Sequence, residues 1–328
     1  MELPPPARPL IIAHRGASGY RPEHSRAAYN LALDLGVDAV EPDIVATADG
    51  VLVLRHENEI SGTTDVATRP EFANRRTTKL IDGEKLTGWF TEDFTWLELK
   101  TLRVRERLPK LRSRSFDSEE GILRLTDLLD LLDARDDVGM VAEIKHATYF
   151  ASIGLPLDDL LAAELSDAGW EGDPRLIVEC FETTVLGQLR ARGIAATYVF
   201  LLESTGAPAD EVAAHGSDAR PFASYLTDDG LAGLAASGID GISVDKRLLL
   251  VADAAGRAAG TNDLVERAHA AGLLVFCWTL RAENSFLPKN LRRAGGPREF
   301  GEWRDEFALI MRTGLDGVFA DQPDLALE

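Results

Sequence analysis

The chain has 328 residues, of which 45% are hydrophobic and 27% are charged, and its formal net charge at pH 7 is −19. This composition is typical of an ordinary globular protein with a substantial core. The negative charge argues against nucleic acid as a partner, so an anionic substrate would need local positive charge from a metal ion or from a few Arg and Lys side chains.

The N-terminal segment, residues 1–6, contains neither a basic nor an apolar stretch, so it does not resemble a signal peptide. No apolar run anywhere approaches about 18 residues, which predicts that the chain has no membrane span. We therefore expect a cytoplasmic protein, although a secreted or periplasmic protein whose leader had been removed would look the same. Cys180 and Cys277 lie in apolar runs and are expected to be buried free thiols.

Strand and helix patterns alternate along the chain. The first strand covers residues 10–13, and the helix after it is predicted to run from Pro22 to about Leu35, before Gly36. A second strand at 38–45 is extended by residues 51–54. Six further strands are predicted at residues 139–144, 175–180, 196–201, 238–244, 273–278 and 314–319. Helices are predicted between most of them, at residues 125–134, 157–168, 183–192, 227–237 and 262–271.

About eight strands that alternate with helices indicate a parallel sheet with helical crossovers. No linker divides the chain, and no Gly-x-Gly-x-x-Gly motif follows the first strand, which weakens the case for an open dinucleotide-binding sheet. We therefore predict an α/β fold with one domain over residues 1–328, a TIM (β/α)8 barrel.

Residues 57–116 interrupt this alternation. The segment is polar and charge-rich, with aromatic clusters at Trp89-Phe90 and around Trp96, and it is too long for an ordinary loop. We interpret it as an insertion of about 60 residues between the second and third strands that lies over the barrel mouth and shapes substrate access. A decorative subdomain without a role in catalysis is the alternative.

The first strand ends in His14-Arg15-Gly16, and Gly19 follows. Because the active sites of TIM barrels lie at the C-terminal ends of the strands, His14 is a candidate proton donor or acceptor beside the fixed charge of Arg15. The two glycines would let a ligand approach the backbone closely. For His14 considered alone, a structural role is the alternative.

The second strand ends in Glu41-Pro42-Asp43, and a later strand ends in Glu143-Ile144-Lys145. Residues i and i+2 of a strand share a face, so each pair of charged side chains is expected to point into the barrel mouth. A hard divalent cation such as Mg²⁺ or Ca²⁺ would relieve the repulsion between the carboxylates, and a bridging arginine is the alternative. Lys145 would add a second cation for an anionic substrate.

A second histidine, His56, follows the extension of the second strand at the same end of the barrel. Two late strands end near Phe181 and Trp278, which could contact a carbon-rich part of a substrate or could simply belong to the core. Together with Arg15, which suits phosphate through paired hydrogen bonds, these residues are those of a metal-dependent phosphodiesterase. One histidine would take a proton from the nucleophile and the other would give one to the leaving alcohol.

Six segments of the chain resemble the glycerophosphodiester phosphodiesterase family, in particular its larger bacterial members. They are AHRGASGYRPEHS, EPDIVATADGVLVLRHENEISGTTDV, VAEIKH, ECFE, CWTL and DGVFADQPD, and they extend from residue 13 to residue 324. The resemblance implies a TIM barrel that hydrolyses a small-molecule glycerophosphodiester to glycerol 3-phosphate and an alcohol with one divalent ion, Ca²⁺ or Mg²⁺. The nucleophile would be either the glycerol hydroxyl of the substrate, which gives a cyclic phosphate, or water.

The resemblance also implies roles for individual residues. The matching positions are Glu41, Asp43 and Glu143 for the metal, His14 and His56 for catalysis, and Arg15 and Lys145 for the phosphate. Two positions depart from the family pattern: His24 stands where many members have Asn, and Glu57 stands where Asp is frequent, so neither is assigned a role. The remaining histidines match no catalytic motif and are expected outside the catalytic set: His146, His215 and His269.

Two alternative functions stay open. Related barrels cleave the head group of lysophospholipids in the manner of phospholipase D, although the acidic composition and the lack of an apolar segment argue against it. A non-catalytic phosphodiester-binding barrel is the other alternative, but it would not need two histidines. The sequence does not determine the oligomeric state.

Overall fold

The computed structural model describes residues 8–328. Its strands in this range are β1 (Leu10–His14), β2 (Ala39–Glu41), β3 (Asp43–Ala46), β4 (Leu52–Leu54), β5 (Thr77–Ile81), β6 (Glu84–Gly88), β7 (Gly139–Ile144), β8 (Leu176–Cys180), β9 (Thr197–Leu202), β10 (Gly241–Asp245), β11 (Leu250–Ala252), β12 (Ala258–Thr261), β13 (Leu274–Leu280) and β14 (Gly317–Ala320). Its α-helices are α1 (Arg26–Leu35), α2 (Trp96–Leu99), α3 (Leu125–Leu132), α4 (Ala147–Ser152), α5 (Leu157–Asp167), α6 (Thr183–Ala191), α7 (Ala209–His215), α8 (Phe222–Tyr225), α9 (Asp228–Ala236), α10 (Leu264–Ala270), α11 (Trp303–Met311) and α12 (Pro323–Leu327).

The sheet closes into a parallel barrel. Its strand order is β2, β1, β14, β13, β10, β9, β8, β7, and β7 pairs with both β2 and β3 to complete the circle. The strands β2 and β3 form one barrel strand that is interrupted at Pro42, because proline has no N–H group to donate to the ladder. The strand β4 pairs antiparallel with β3 outside the circle. The prediction of a TIM barrel is thereby confirmed.

Side chains alternate along the barrel strands between the interior and the helix layer. A small buried cluster inside the barrel contains Ile12, Ala39, Val141, Val199, Phe276 and Phe319. Since the side-chain period of a strand is two residues, the next inward positions towards the C-terminal ends belong to polar or aromatic residues. They include His14, Glu41, Glu143 and Trp278. The same alternation that fills the barrel with apolar residues therefore places the candidate site at the C-terminal ends of the strands.

The predicted start of the first helix at Pro22 is wrong. The helix α1 begins at Arg26, and the Oγ of Ser25 caps it by accepting a hydrogen bond from the backbone N–H of Ala28 at 3.1 Å. The residues before the cap form a turn in which His24 has a φ of 56°. This turn carries the His24 side chain back towards β3, which a helix from Pro22 would not allow.

Two predicted strand starts, at residues 238 and 314, are also wrong. Gly238 and Gly314 have φ values of 89° and 81°, and they follow α9 and α11 as left-handed helix ends. The strands β10 and β14 begin later, at Gly241 and Gly317. The helix α11 and the hairpin of β11 and β12 lie outside the named predicted elements.

The segment 57–116 contains the hairpin of β5 and β6 and the short helix α2. Its aromatic residues Phe90 and Phe94 are fully buried, and Phe94 belongs to the same buried hydrophobic cluster as residues of the barrel strands and helices. Its role as an insertion that shapes substrate access stays a prediction.

Two further findings concern the part of the chain that the structure describes. Cys180 and Cys277 are free and buried. No helix between residues 8 and 328 combines the length and the apolar character needed to cross a membrane.

The glycines near His14 serve close packing within the protein, not the approach of a ligand. Gly16 has a φ of 78°, and a Cβ atom there would lie 2.7 Å from the carbonyl carbon of Ala28. A Cβ atom at Gly19 would lie 2.6 Å from the side chain of Gln322. Ala28 and Gln322 therefore fill the space that the sequence suggested was open to a ligand.

We expect Gly16→Ala to lower the free energy of unfolding by about 2 kcal/mol or more, because it adds a backbone clash to an unfavourable left-handed conformation. Gly36→Ala is the matched control, since Gly36 has a φ of 79° and a Cβ atom there would meet nothing within 4 Å. That control should cost about 1 kcal/mol. Urea denaturation measures the free energy of unfolding of both variants. Equal decreases would contradict the clash with the Ala28 backbone that we infer for an alanine at position 16.

Candidate active site

A pocket of about 280 Å³ lies at the C-terminal ends of the barrel strands. Its lining includes every predicted site residue except Asp43: His14, Arg15, Glu41, His56, Glu143, Lys145, Phe181 and Trp278. Asp43 is fully buried and belongs to the same group of carboxylates. The structure therefore brings all the predicted residues into one place, as expected if parallel strands carry them to a common end.

Three carboxylates form a compact acidic cluster. One oxygen each of Glu41, Asp43 and Glu143 lies within 4.8 Å of the other two. The strands fix this arrangement, because Glu41 lies opposite His14 on β1 and Asp43 lies opposite Glu143 on β7. Oε1 of Glu41 and Oδ1 of Asp43 are buried without a hydrogen-bond partner among residues 8–328. Buried free carboxylate oxygens in such proximity fit a hard divalent cation.

The acidic groups in this cluster do not ionise equally. Burial raises the pKa of Glu41 well above its usual range, and the charges of Asp43 and Glu143 raise it further. Burial also raises the pKa of Glu143 to about 8 despite the opposing charge of Lys145. For Asp43, burial is outweighed by Arg15 and by other positive groups, so its pKa lies well below the usual range. Asp43 therefore ionises more readily than an ordinary carboxyl group, while Glu41 and Glu143 hold a proton more tightly, and a bound cation would compete with that proton.

Two cations face the cluster. Arg15 contacts Glu23 through Nη1 at 3.0 Å and Asp43 through Nε at 3.0 Å. Nζ of Lys145 lies 2.6 Å from Glu143 and 3.7 Å from Asp43. Nearby carboxylates raise the pKa of both cations, overcoming the effect of burial. Arg15 and Lys145 therefore stay charged and supply the local positive potential that the acidic chain otherwise lacks.

His14 is oriented by a hydrogen-bond network that joins the end of β1 to the residue after β14. Its Nδ1 lies 2.6 Å from Oδ1 of Asp321, which follows β14. The other oxygen of Asp321 accepts hydrogen bonds from Arg112 and Arg281, each at 2.6 Å. Burial and the charge of Arg15 lower the pKa of His14 to about 4. The imidazole is thus neutral near pH 7, with its Nδ1 side fixed by Asp321.

His56 is oriented in a similar way by a carboxylate. Its Nδ1 lies 2.5 Å from Oε1 of Glu57. Arg107 in turn donates to Glu57 at 2.8 and 2.6 Å and to Glu23 at 2.6 and 2.7 Å. Burial and the charges of Arg15 and Lys145 lower the pKa of His56 to about 3. Glu57 thus orients a histidine and is not part of the compact acidic cluster.

His24, which departs from the family pattern, is fully buried behind the site. Its Nε2 lies 2.8 Å from Oδ2 of Asp43, and its Nδ1 lies 2.8 Å from the hydroxyl of Tyr29. It therefore supports a carboxylate of the cluster without lining the pocket. His146 pairs with Asp82, His215 is exposed, and His269 pairs with Asp316.

Sequence reasoning missed several residues of the site. Glu179 lines the pocket and lies opposite Glu143 in the register of β7 and β8. It could have been found, because it stands two residues before Phe181 and so shares its face. Asp321 lies in the family-like segment DGVFADQPD, but its contact with His14 follows only from the pairing of β14 with β1. Arg112, which contacts Asp321, lies in the segment 57–116, where no motif pointed to it. Phe181 and Trp278 form an edge-to-face pair with ring centroids 6.0 Å apart.

Comparison with known proteins agrees with this geometry. The sequence matches the Glycerophosphoryl diester phosphodiesterase family over residues 14–325. It is 31% identical over 326 residues to a glycerophosphodiester phosphodiesterase of Arabidopsis thaliana, an alignment that covers 96% of this chain and 84% of that protein.

Solved structures share the fold. One from Silicibacter pomeroyi DSS-3 superposes with a TM-score of 0.66 and 22% identity, covering 98% of this chain and 92% of that one. An Oleispira antarctica phosphodiesterase in complex with the product sn-glycerol-3-phosphate gives a TM-score of 0.63 and 19% identity, covering 98% of this chain and 96% of that one. Because the family match covers most of the barrel and the whole pocket, this chain belongs to the glycerophosphoryl diester phosphodiesterase family.

Proposed function

We propose that this protein is a metal-dependent enzyme that hydrolyses glycerophosphodiesters to glycerol 3-phosphate and an alcohol. One observation carries the proposal: a three-carboxylate cluster, two histidines oriented by carboxylates and two cations line or border a single pocket. The Arabidopsis relative bears the name of this activity, and the Oleispira structure contains its phosphate product.

The phosphate would bind between the two cations. Arg15 and Lys145 contact different oxygens of Asp43, and both keep their charge. Glu41, Asp43 and Glu143 would hold one divalent ion, Mg²⁺ or Ca²⁺. Such an ion neutralises negative charge on phosphoryl oxygens and makes the phosphorus easier to attack.

The two histidines would move the protons. Each has its Nδ1 occupied by a carboxylate, so its Nε2 is the atom available to the substrate. A neutral imidazole can take a proton from the attacking hydroxyl, whether this belongs to glycerol or to water. An anionic phosphodiester close to the other imidazole raises its pKa, which favours the protonated form needed to donate to the leaving alcohol.

The substrate class can be tested by comparing glycerophosphocholine with lysophosphatidylcholine in the presence of Mg²⁺ or Ca²⁺. We expect release of glycerol 3-phosphate and choline from the first and a kcat/KM at least about a hundredfold lower for the second, because the spaces that adjoin the pocket of about 280 Å³ are lined by several charged side chains, which disfavour an acyl chain. Choline release mainly from the lysolipid would instead support the phospholipase D-like alternative. Binding of both without turnover would support a non-catalytic barrel.

A further inference from the structure

One short turn of the segment 57–116 contacts the carboxylates that orient both histidines of the pocket. The turn covers residues 107–112. The backbone N–H groups of Leu111 and Arg112 close it by donating to the carbonyl of Leu108, at 2.8 and 2.9 Å. Its first residue is Arg107 and its last is Arg112, so two guanidinium groups leave the same turn.

Arg112 fixes the carboxylate that orients His14. Its Nη2 donates to Oδ2 of Asp321 at 2.6 Å, and its Nε donates to Oε1 of Glu283 at 2.8 Å. Burial would raise the pKa of Asp321, but the charges of Arg281 and Arg112 hold that pKa well below its usual range. Asp321 therefore stays a carboxylate, with one oxygen on Arg112 and the other 2.6 Å from Nδ1 of His14.

Arg107 fixes the carboxylate that orients His56. It donates to both oxygens of Glu57, at 2.8 and 2.6 Å, and Glu57 lies 2.5 Å from Nδ1 of His56. It also donates to both oxygens of Glu23, at 2.6 and 2.7 Å, and Glu23 accepts a hydrogen bond from Arg15 at 3.0 Å. Paired contacts between a guanidinium group and a carboxylate restrict the direction of both groups.

The two arginines lie behind the residues that would contact a substrate. Among the residues that the structure describes, the lining of the catalytic pocket includes neither Arg107 nor Arg112. Arg112 is only 8% exposed, and the side chain of Arg107 is 26% exposed. Buried ion pairs are weak sources of stability, whereas partners of this kind commonly orient the groups that bind or react.

We propose that Arg107 and Arg112 are positioning residues, through which one turn of the segment 57–116 orients His56 and His14 together. The segment is then part of the framework of the active site, and it is not only a cover over the barrel mouth or a decorative addition. The kinetic part of this inference rests on the proposed function, whereas the orientation of the imidazoles does not require turnover.

The kinetic test uses the metal-loaded full chain with glycerophosphocholine. Arg112→Gln should lower kcat by about tenfold to a hundredfold with little change in KM, because it acts only through the orientation of His14. Arg107→Gln should lower kcat by a similar factor and also raise KM, because the carboxylate that holds Arg15 loses a partner. Lys110→Gln removes a charge from an exposed side chain of the same turn and should leave both constants unchanged.

Combination with His14→Ala separates positioning from a general loss of structure. Because Arg112 acts through His14, Arg112→Gln should change kcat/KM by less than about twofold in the His14→Ala background, and a change of about tenfold or more there would overturn the assignment. Arg112→Lys provides a second variant if the glutamine variant does not fold. Lysine cannot span Asp321, Glu283 and the carbonyl of Ser18, so its kcat should be reduced, and a wild-type kcat would contradict the proposal.

Nitrogen NMR spectra of the imidazoles test the orientation without turnover. The chain has six histidines, and the signals of His14 and His56 are identified by their loss in the alanine variants. We expect the tautomer with a proton on Nδ1 for both in the wild type and a mixture of tautomers for His14 in Arg112→Gln and for His56 in Arg107→Gln. The lysine control variant should give the wild-type spectrum.

The two measurements distinguish failure of this inference from failure of the proposed function. Wild-type imidazole spectra in both folded arginine variants would overturn the positioning role and leave the hydrolytic function intact. Altered spectra in a protein that hydrolyses no glycerophosphodiester would support the positioning role and reject the proposed function.

Discussion

Replacement of either His14 or His56 by alanine is expected to lower kcat/KM for glycerophosphocholine by about a hundredfold to ten-thousandfold, the usual contribution of a positioned acid or base. Both imidazoles lie in the pocket with Nδ1 fixed by a carboxylate, so alanine removes a group that is oriented to carry a proton. Steady-state assays of glycerol 3-phosphate release measure the effect. The double variant should lose little more than the worse single variant, because the two residues act in one reaction.

A matched control shows whether the loss is specific to these positions. His215→Ala removes a histidine whose side chain is 58% exposed and which makes only a long contact with Glu211, at 3.8 Å. It should retain wild-type kcat/KM. If His14→Ala and His56→Ala fold normally and remain as active as His215→Ala, the assignment of proton transfer to these two residues is wrong.

The second large effect is expected from Glu143→Gln, which removes one carboxylate of the acidic cluster. It should weaken binding of the divalent ion and lower activity at fixed metal concentration by about a hundredfold or more, since a neutral amide is a poorer ligand and the ion supplies much of the charge neutralisation. Isothermal titration calorimetry with Mg²⁺ and Ca²⁺ gives the binding constant independently of activity. Glu266→Gln provides the control, because it changes the net charge equally at an exposed position of α10 outside the pocket.

The raised pKa of Glu143 predicts how metal binding depends on pH. Because burial raises the pKa of Glu143 to about 8, the metal-free protein keeps a proton on this group near pH 7, and the cation must displace it. The affinity for the ion in the wild type should therefore rise as the pH increases from about 6 to about 8. In Glu143→Gln this part of the pH dependence should disappear. A wild-type affinity independent of pH would contradict a proton-bearing cluster.

The site could be predicted from the sequence because its main residues obey a simple geometric rule. Glu41 and Asp43, like Glu143 and Lys145, stand two residues apart where a strand ends, and parallel strands bring such pairs to one end of a barrel. The local sequence was therefore sufficient to predict the fold class and to predict that the candidate residues lie close together. Their catalytic roles stay predictions until the variants are measured.

Other parts of the site depend on contacts that local sequence does not encode. Asp321 is 307 positions from His14, and it orients the imidazole only because the barrel closes. Arg107 and Arg112 contact residues of the site from the segment 57–116. This segment has no helix or strand periodicity from which its fold could be predicted. The wrong helix start at Pro22 has a similar cause, since the turn before α1 serves the contact of His24 with Asp43.

The central claim, metal-dependent hydrolysis of a glycerophosphodiester, is tested most directly by assaying glycerol 3-phosphate release from glycerophosphocholine with chelator-treated protein, before and after addition of Mg²⁺ or Ca²⁺. We predict no release from the metal-free protein and recovery of activity with at least one of the two ions, to an extent that follows the binding measured by calorimetry. Full activity in protein shown by elemental analysis to contain no metal would contradict the role of the acidic cluster. No release with any ion, from protein that binds it and remains folded, would contradict the proposed substrate.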